Sequence, residues 1–430
     1  MGTSLQKINR FVVLMLENRS FDHLFGYLKA VNPQIAGLAE KDYSNYPDPG
    51  TNQQPQVFTL PTAPSTMKFD PPHEFQDVQI QLYGPAPTDA NGNVGPNPRT
   101  NPAPMTGFLY CGNQAAENAK CSTEGPSVMQ GFAAGQVPYI QSVAQEFALF
   151  NFWHSSLPGP TWPNRFFVHA ATSGGLTDSP TEIQITGGYS FKNDTIYHAL
   201  TNAGKDWRIY HDGLPQTAGI DSLRSAYADP FTKNFREMDY FIQDIKDNIL
   251  PEYTFIEPQY DVGDNYQYGN SMHPVNDVSA GDDLVKFVYE ALRNSDYWQD
   301  TMLIITFDEH GGFFDHVPPP AAVPTGDDKT YANAKNNFNF DLYGIRVPAI
   351  VISAYTQKGT VIGVDPKDAT TIFDHTSILA TVEARFGLAP LTARDKAANK
   401  LDVALNLDAP RTDAPTILQA PSPFGAIPLT

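Results

Sequence analysis

A short apolar segment in the C-terminal half of the chain runs directly into a cluster of charged residues. Residues 303–307, LIITF, have the composition of a strand buried on both faces, as in a parallel sheet covered by helices. Residues 308–312, DEHGG, follow without a linker. Such a strand carries its charged side chains to the carboxyl edge of the sheet, where open α/β sheets bind their ligands.

The same junction occurs near the start of the chain. The apolar residues 11–16 run straight into Glu17 and Asn18, so a second predicted strand ends in oxygen-bearing side chains. Each such residue alone could be a helix cap or a surface carboxylate. Two adjacent pairs, the second being Asp308 and Glu309, favour one shared metal site instead. Because no cysteine or pair of histidines accompanies these oxygens, the set suits one Ca²⁺, Mg²⁺ or Mn²⁺ ion better than Zn²⁺.

Predicted strands alternate with amphipathic helices along the chain, which indicates an α/β fold with a mostly parallel central sheet and helices on both faces. Strands are expected at 11–16, 147–153, 207–211, 253–257, 302–307 and 347–353. The clearest helices are expected at 282–294 and 376–386, where apolar residues recur at helical spacing. Segments rich in Pro, Gly and Asn, at about 31–66 and 81–128, are expected to be loop-rich insertions at the ligand-binding edge.

Composition excludes several classes of partner. The chain has 28 Lys and Arg against 47 Asp and Glu, a formal charge of −19, and no basic run, which argues against nucleic acid and anionic membranes as partners. No segment approaches about 18 consecutive apolar residues, so we expect no transmembrane anchoring. Residues 11–16 are too short for a signal peptide, which predicts a cytoplasmic protein unless a leader was removed and the protein is secreted or periplasmic. Cys111 and Cys121 could form one disulfide or remain free thiols.

Thr161 is the candidate nucleophile. It lies in residues 154–165, HSSLPGPTWPNR, where a helix N-cap is expected, and Pro163 falls in the first helical turn. A hydroxyl at a helix start beside a cation ionises more readily, since dipole and metal both favour the alkoxide. Asn164 and Arg165 could hold phosphate oxygens. The simpler alternative is a threonine that only caps the helix.

The candidate proton donors and phosphate-binding groups are His73, His211 and His273. A lone histidine is usually a surface or core residue, but His211 repeats the strand-end position of the metal pairs, and Asp212 follows it. Imidazoles would be the natural phosphate-binding and proton-donating groups of a site without cysteine in an acidic protein.

Taken together, these motifs resemble the phosphoesterase family of acid phosphatases, phosphatidylcholine-type phospholipases C and plant non-specific phospholipases C, within the alkaline phosphatase superfamily. The resemblance extends in order over residues 11 to about 388. The matching segments are residues 17–23 (ENRSFDH), 70–73 (DPPH), 158–165 (PGPTWPNR), 273–274 (HP), 308–316 (DEHGGFFDH) and 375–377 (HTS).

The resemblance implies an alkaline-phosphatase-like fold, with one catalytic phosphoesterase domain over residues 1–390. Residues 391–430 are rich in Pro, Ala and Asp, a composition that predicts an irregular C-terminal extension. The resemblance also implies specific roles for the candidate residues. One divalent metal ion would be held by Glu17, Asn18, Thr161, Asp308 and Glu309. His73, His211 and His273 would surround the transferred phosphoryl group, with Asp212 in a place that a second histidine occupies in some relatives.

The expected function is phospholipase C cleavage of phospholipids through a phosphothreonine intermediate. The enzymatic alternative is an acid phosphatase acting on small phosphomonoesters. A non-enzymatic alternative is a binding protein that keeps the metal as a structural clamp, although a clamp would not need a nucleophile at residue 161. The sequence does not indicate the head group, the metal or the oligomeric state.

Overall fold

The centre of the molecule is an eight-stranded sheet. The computed structural model describes residues 4–38, 43–48, 54–58, 62–86, 99–229, 231–264, 266–332 and 336–419. Within these ranges the strands are β1 (Arg10–Leu16), β2 (Tyr43–Asn45), β3 (Gln56–Phe58), β4 (Ala148–Phe150), β5 (Trp207–His211), β6 (Phe235–Glu237), β7 (Tyr253–Glu257), β8 (Thr301–Phe307), β9 (Ala349–Ile352) and β10 (Val361–Ile362).

The strand order is β10-β4-β9-β8-β1-β7-β5-β6, and β2 pairs with β3 in a separate hairpin. The strands from β8 to β6 run parallel to their neighbours, whereas β9 is antiparallel to both β8 and β4. The prediction of an α/β fold with a mostly parallel sheet is therefore confirmed. The strand expected at 347–353 forms as β9, although sequence pattern alone did not indicate its opposite direction.

Twelve α-helices connect the strands of the described residues. They are α1 (Phe21–Phe25), α2 (Phe75–Tyr83), α3 (Phe108–Asn118), α4 (Pro138–Glu146), α5 (Thr161–Ala170), α6 (Glu182–Gly187), α7 (Ile196–Asn202), α8 (Asp221–Ala228), α9 (Tyr240–Lys246), α10 (Val278–Arg293), α11 (Thr376–Phe386) and α12 (Ala393–Ala397). Every residue of β8 is buried, so the sheet is covered on both faces there. Helix α10 packs on α4, and α11 packs on α5.

The two strands that carry the acidic motifs lie side by side at the middle of the sheet. Strands β1 and β8 are parallel and in register, with Leu16 opposite Phe307. Apart from the partly buried Arg10 at the start of β1, both strands consist of buried β-branched, Leu, Met and Phe side chains. Because the register aligns their carboxyl ends, Glu17 and Asp308 emerge at the same edge, which is the arrangement that the sequence predicted.

The predicted insertions contain more regular structure than expected. The segment 31–66 includes the β2–β3 hairpin, and 81–128 includes helix α3, whose apolar face packs in a second core cluster with Phe108 and Leu109. Within those segments, residues 39–42, 49–53, 59–61 and 87–98 lie outside the described residues. Cys111 and Cys121 are free thiols.

The C-terminal segment predicted as an irregular extension packs against the main core over its described part. Leu391, Leu401, Ala404 and Leu418 are buried there, and residues 420–430 lie outside the described residues. No helix in the described ranges is long and apolar enough to cross a membrane.

Candidate active site

The carboxyl ends of β1 and β8 are joined by direct hydrogen bonds. The Asp308 carboxylate accepts from the backbone N–H of Asn18 at 3.0 Å and from that of Glu309 at 2.7 Å. The His375 ring nitrogen Nε2 lies 2.7 Å from the Asp308 carbonyl oxygen. Asn18 has a positive φ of 58°, which turns the chain sharply after the strand. The two motifs therefore form one structural unit.

Two glycines of the DEHGG motif allow the loops of the site to approach one another. Gly311 has a φ of 66°, and a Cβ atom there would overlap the Asn18 carbonyl oxygen. Gly312 has a φ of 74°, and a Cβ atom there would lie 2.8 Å from the Pro72 carbonyl oxygen, next to His73. Any side chain at these positions would push the Asp308 loop away from the Asn18 and His73 loops.

Three side-chain oxygen atoms at the carboxyl edge of β1 and β8 accept no hydrogen bond from the described residues. Glu17 Oε2, Asn18 Oδ1 and Glu309 Oε1 are buried without a hydrogen bond among the residues that the structure describes. Burial raises the pKa of Glu17 to about 8 and that of Asp308 to about 6, although Arg165 opposes both shifts. Buried, unsatisfied hard oxygens are costly unless a cation or proton compensates them. These donors fit an oxygen-preferring divalent ion.

Glu309 is held by two histidines. Burial alone would raise its pKa, but His73 and then His310 lower it below the usual value. His310 lies beside the Glu309 carboxylate at 3.3 Å and meets the Gln81 side-chain oxygen at 2.7 Å. Gln81 in turn donates to the Pro72 carbonyl at 2.7 Å. Gln81 thus links the Glu309 and His73 loops. The sequence did not suggest this positioning role, because Gln81 begins the segment that was expected to be a loop-rich insertion.

Thr161 was predicted at the N-cap of a helix. In the structure the N-cap of α5 is Pro160, and Thr161 is the first residue of the helix. The preceding loop is braced by Asn164. Its amide accepts from the Leu157 N–H at 3.1 Å and donates to the carbonyls of Leu157, Gly159 and Pro160. The structure therefore commits the Asn164 side chain to shaping the loop, and does not leave it free for phosphate as the sequence suggested.

Arg165, which follows Asn164 in α5, contacts the carboxyl ends of both β1 and β8. Its Nε donates to Asp308 Oδ2 at 2.9 Å, and Nη2 donates to the Met15 and Leu16 carbonyls. Its remaining nitrogen, Nη1, is buried without a partner among the described residues. This guanidinium is the cation closest to the acidic oxygens, and it lines the adjoining cavity.

His73 and His273 lie in different electrostatic surroundings. Burial lowers the pKa of His73, but Glu309 and Asp70 more than offset it, raising that pKa to about 10. Burial, with His73 and Arg19, lowers the pKa of His273 well below its usual value. The His273 ring stacks on Tyr266 with ring centroids 3.9 Å apart, and its Nε2 lies 3.7 Å from Asp70.

A cavity of about 830 Å³ opens at this edge and collects most of the predicted residues. Its lining includes Glu17, His73, Thr161, Arg165, Asp212 and His273. Asn18, Asp308 and Glu309 lie directly behind Glu17 and His73 through the contacts described above. The lining also includes Asp70, Tyr260 and Tyr266, which sequence reasoning did not assign. Only Asp70 had a signal, since it begins the DPPH motif; the tyrosines lie in a loop without a recognisable pattern.

His211 is the predicted phosphate-binding histidine that the structure does not bring to this cavity. Its Nδ1 lies 2.8 Å from the Gly213 carbonyl oxygen, and its ring lines a second cavity of about 590 Å³ with Tyr227 and Phe235. Asp212, the next residue, lines the first cavity. Consecutive residues at a strand end point in opposite directions, so strand-end position alone could not decide which of them enters the site.

A second acidic cluster lies near the site. Asp22, Asp315 and His316 offer two carboxylates and an imidazole within 4.8 Å of one another, a group that could hold a metal ion. Arg346, however, donates to Asp315 at 2.8 Å and to Asp22 at 3.1 Å. A cation of the chain itself therefore already contacts both carboxylates.

Comparisons with known proteins agree on one family. Residues 8–389 match the phosphoesterase family. The chain is 36% identical over 430 residues to non-specific phospholipase C3 of Arabidopsis thaliana, covering 97% of this chain and 77% of the relative. It is 39% identical over 427 residues to non-specific phospholipase C6 of the same plant, covering 97% and 76%.

Solved structures are more distant. A protein in the alkaline phosphatase superfamily from Vibrio parahaemolyticus matches with a TM-score of 0.36 and 14% identity, over 62% of this chain and 63% of the other. The functional comparison therefore rests on the sequence relatives.

Proposed function

The chain belongs to the phosphoesterase family and is a phosphoric ester hydrolase, and from this premise we propose that it acts as a metal-dependent phospholipase C. The observation that carries the proposal is the position of Thr161. Thr161 is the first residue of a helix and lines the same cavity as Glu17 and His73. The Asn18 and Glu309 side chains, each with an oxygen that accepts no hydrogen bond among the described residues, adjoin this lining at His73. The plant relatives carry the name phospholipase C, which supports a phospholipid substrate.

In the proposed reaction the Thr161 hydroxyl attacks phosphorus in line with the glycerol oxygen. The bond from phosphorus to Thr161 forms as the bond to diacylglycerol breaks, which leaves the phosphorylated head group esterified to Thr161. The Thr161 proton passes through solvent to His273, which is neutral at rest because its pKa is lowered, and His273 then protonates the departing glycerol oxygen, while His73 and Arg165 stabilise charge on the phosphoryl oxygens. Water then attacks phosphorus and gives its proton to His273, the phosphorylated head group is released, and His273 returns a proton to the Thr161 oxygen through solvent.

The divalent ion would be held by Glu17, Asn18, Thr161, Asp308 and Glu309, and when bound it would supply Lewis acidity and lower the pKa of the nucleophile. Arg165 would hold Asp308 in place through its 2.9 Å ion pair. Asn164 would orient Thr161 by fixing the carbonyls of the preceding loop. Asp212 would lie at the cavity wall away from these ligands.

The test of the nucleophile is a pair of substitutions at residue 161. We expect Thr161→Ala to lower kcat by about a thousandfold or more with the fold intact, since loss of a nucleophile typically costs several kcal/mol of barrier. Thr161→Ser should retain part of the activity. Rapid quenching of the wild type with a slow diester substrate should trap the phosphorylated head group on the peptide that contains residue 161. An Ala variant with near-normal kcat would remove Thr161 from this role.

The substrate class needs a separate measurement, because an acid phosphatase could use the same residues. The cavity volume lies near the upper end of the roughly 300–1,000 Å³ found for ligand sites, which leaves room for a head group and glycerol beside the phosphate. We expect kcat/KM for phosphatidylcholine to exceed that for p-nitrophenyl phosphate, with diacylglycerol as product. A strong preference for the monoester would favour the phosphatase.

A further inference from the structure

Apolar side chains project into solvent around the mouth of the cavity. Leu214 and Val262 both line the cavity, yet 72% and 65% of these residues is exposed. Ile183, two positions before the lining residue Ile185, is 85% exposed. These three residues, the mouth rim, come from separate segments: helix α6, the loop after β5 and the short helical turn at Val262–Asp264.

Helix α6 is attached to the molecule without burying any of its residues. Thr181 and Gln184 form a capping box at its start, and Arg224 donates to the Ile185 and Thr186 carbonyls at its end. The helix is therefore held by polar contacts, and Ile183 serves no core within the described residues. An exposed isoleucine that contributes nothing to the core gains free energy only by contact with something outside the chain.

The charges around the mouth restrict what that contact can be. The cavity lining contains one arginine, Arg165, which is paired with Asp308, and no lysine among the described residues. Glu74, Asp212 and Asp261 lie in the same lining. A surface that is apolar and acidic is repelled by anionic lipids, but it suits a lipid surface whose outermost groups are ammonium cations and whose net charge is zero.

We propose that the mouth rim docks on the surface of a zwitterionic phospholipid bilayer and places the cavity over a lipid head group. The inference rests on the proposed function, because only a lipid substrate must be withdrawn from a bilayer. In this arrangement the three rim side chains enter the interfacial region of the bilayer, and the acidic side chains of the cavity lining face the head groups. Continuity between rim and cavity carries the argument, since Leu214 and Val262 belong to both.

The first experiment measures binding and not turnover. Thr161→Ala protein is sedimented with vesicles of phosphatidylcholine, with and without phosphatidylserine, before and after the triple change Ile183→Ser, Leu214→Ser and Val262→Ser. We expect the triple change to weaken binding to phosphatidylcholine vesicles by about tenfold or more, since each apolar side chain contributes to interfacial binding. Phosphatidylserine should weaken binding of the parent protein.

A matched control uses three apolar residues that are exposed elsewhere: Val364→Ser, Val403→Ser and Ile417→Ser. This variant should bind vesicles like its parent. Equal binding by the rim variant and its parent, equal losses in rim and control variants, or preference for anionic vesicles would each overturn the proposal. So would rim-dependent self-association without vesicle binding, which would assign the rim to a second copy of the chain.

A second experiment separates docking from chemistry. Ile183 does not line the cavity, so Ile183→Ser should slow hydrolysis of vesicle phosphatidylcholine severalfold while leaving turnover of soluble p-nitrophenyl phosphorylcholine within about twofold. Equal effects on both substrates would reject the docking role. Vesicle binding by a wild type that hydrolyses no lipid would instead remove the proposed function and leave docking in place.

Discussion

The molecule contains two buried acidic clusters a short distance apart in the fold, and they are compensated in different ways. The site cluster comprises Glu17, Asp308 and Glu309; the Arg346 cluster comprises Asp22, Asp315, His316 and Arg346. In the Arg346 cluster, the guanidinium donates to both carboxylates at 2.8–3.1 Å, and the His316 imidazole lies 2.6 Å from the Asp22 carboxylate. In the site cluster, the described cations beside three buried carboxylates are the Arg165 guanidinium, at 2.9 Å from Asp308, and the His73 imidazole, at 3.9 Å from Glu309.

The difference shows how a structural acidic cluster is distinguished from one that binds a cation. The remaining Arg346 nitrogen, Nη1, donates to the Ala36 and Asn151 carbonyls, so every nitrogen of that guanidinium has a partner. By contrast, Glu17 Oε2 and Glu309 Oε1 accept no hydrogen bond in the described part of the chain, and the charged group nearest to Glu309 Oε1, His73, lies 3.9 Å away. A divalent ion would supply the charge that the site cluster lacks, whereas the Arg346 cluster has no such deficit.

The largest expected effect separates the two clusters by activity. Glu17→Gln should lower kcat/KM by about a thousandfold or more, equivalent to roughly 4 kcal/mol of barrier. It should not lower the free energy of unfolding of the metal-free protein, because the glutamine buries no charge. Kinetics and denaturant unfolding of the same preparation would measure both.

Asp315→Asn is the matched control for that change, since it neutralises a carboxylate that already has a partner. It should lower the free energy of unfolding while each folded molecule remains active. Chelation of the wild type should remove activity, and added divalent ions should restore it. If Glu17→Gln destabilised the protein as strongly as Asp315→Asn, the contrast between the clusters would fail.

A second prediction tests whether Arg346 is the cation of its own cluster. Arg346→Met should lower the free energy of unfolding by about 3–5 kcal/mol, because it removes the guanidinium from two buried carboxylates and leaves His316 as the remaining cation beside Asp22. Urea unfolding at neutral pH measures the loss. Arg346→Lys should recover only part of it, since an ammonium cannot make the paired contacts to Asp315. A variant as stable as the wild type without added metal would show that Arg346 is not the compensating charge.

The sequence predicted the elements of this contrast unevenly. The β1 and β8 junctions were recognisable because a buried strand has a continuous apolar composition. Parallel pairing of the two strands then brings their carboxyl ends to the same edge of the sheet. The role of Arg346 was not recognisable, because it joins residues that lie hundreds of positions apart in the sequence. Asn164 lies in the expected motif, but its partners are backbone atoms whose positions depend on the loop conformation. The position of His211 outside the first cavity was not recognisable for a related reason, since side-chain direction at a strand end depends on the turn that follows.

The smallest expected effect concerns the proton on His316. Burial lowers the pKa of His316, but Asp22 raises it above its usual value overall; burial raises the pKa of Asp22, but His316 and Arg346 lower it overall. The histidine contribution to stability is therefore fully present below its unfolded pKa of about 6.5 and is lost as pH rises through the higher folded pKa. The aspartate contribution is present above about pH 4 and is lost as pH falls through the lower folded pKa.

The pair should therefore stabilise the fold most between about pH 4 and 6.5. The His316 side chain is 37% exposed, so solvent screening should limit its contribution to about 1 kcal/mol or less. Denaturant unfolding at pH 5.5 and pH 8.5 should show that the wild type loses more stability over this interval than His316→Gln does. His198→Gln, which removes a more exposed histidine beside Asp194, should retain the wild-type pH dependence. If His316→Gln retained it as well, Arg346 alone would compensate both carboxylates, and the cluster would need no proton at His316.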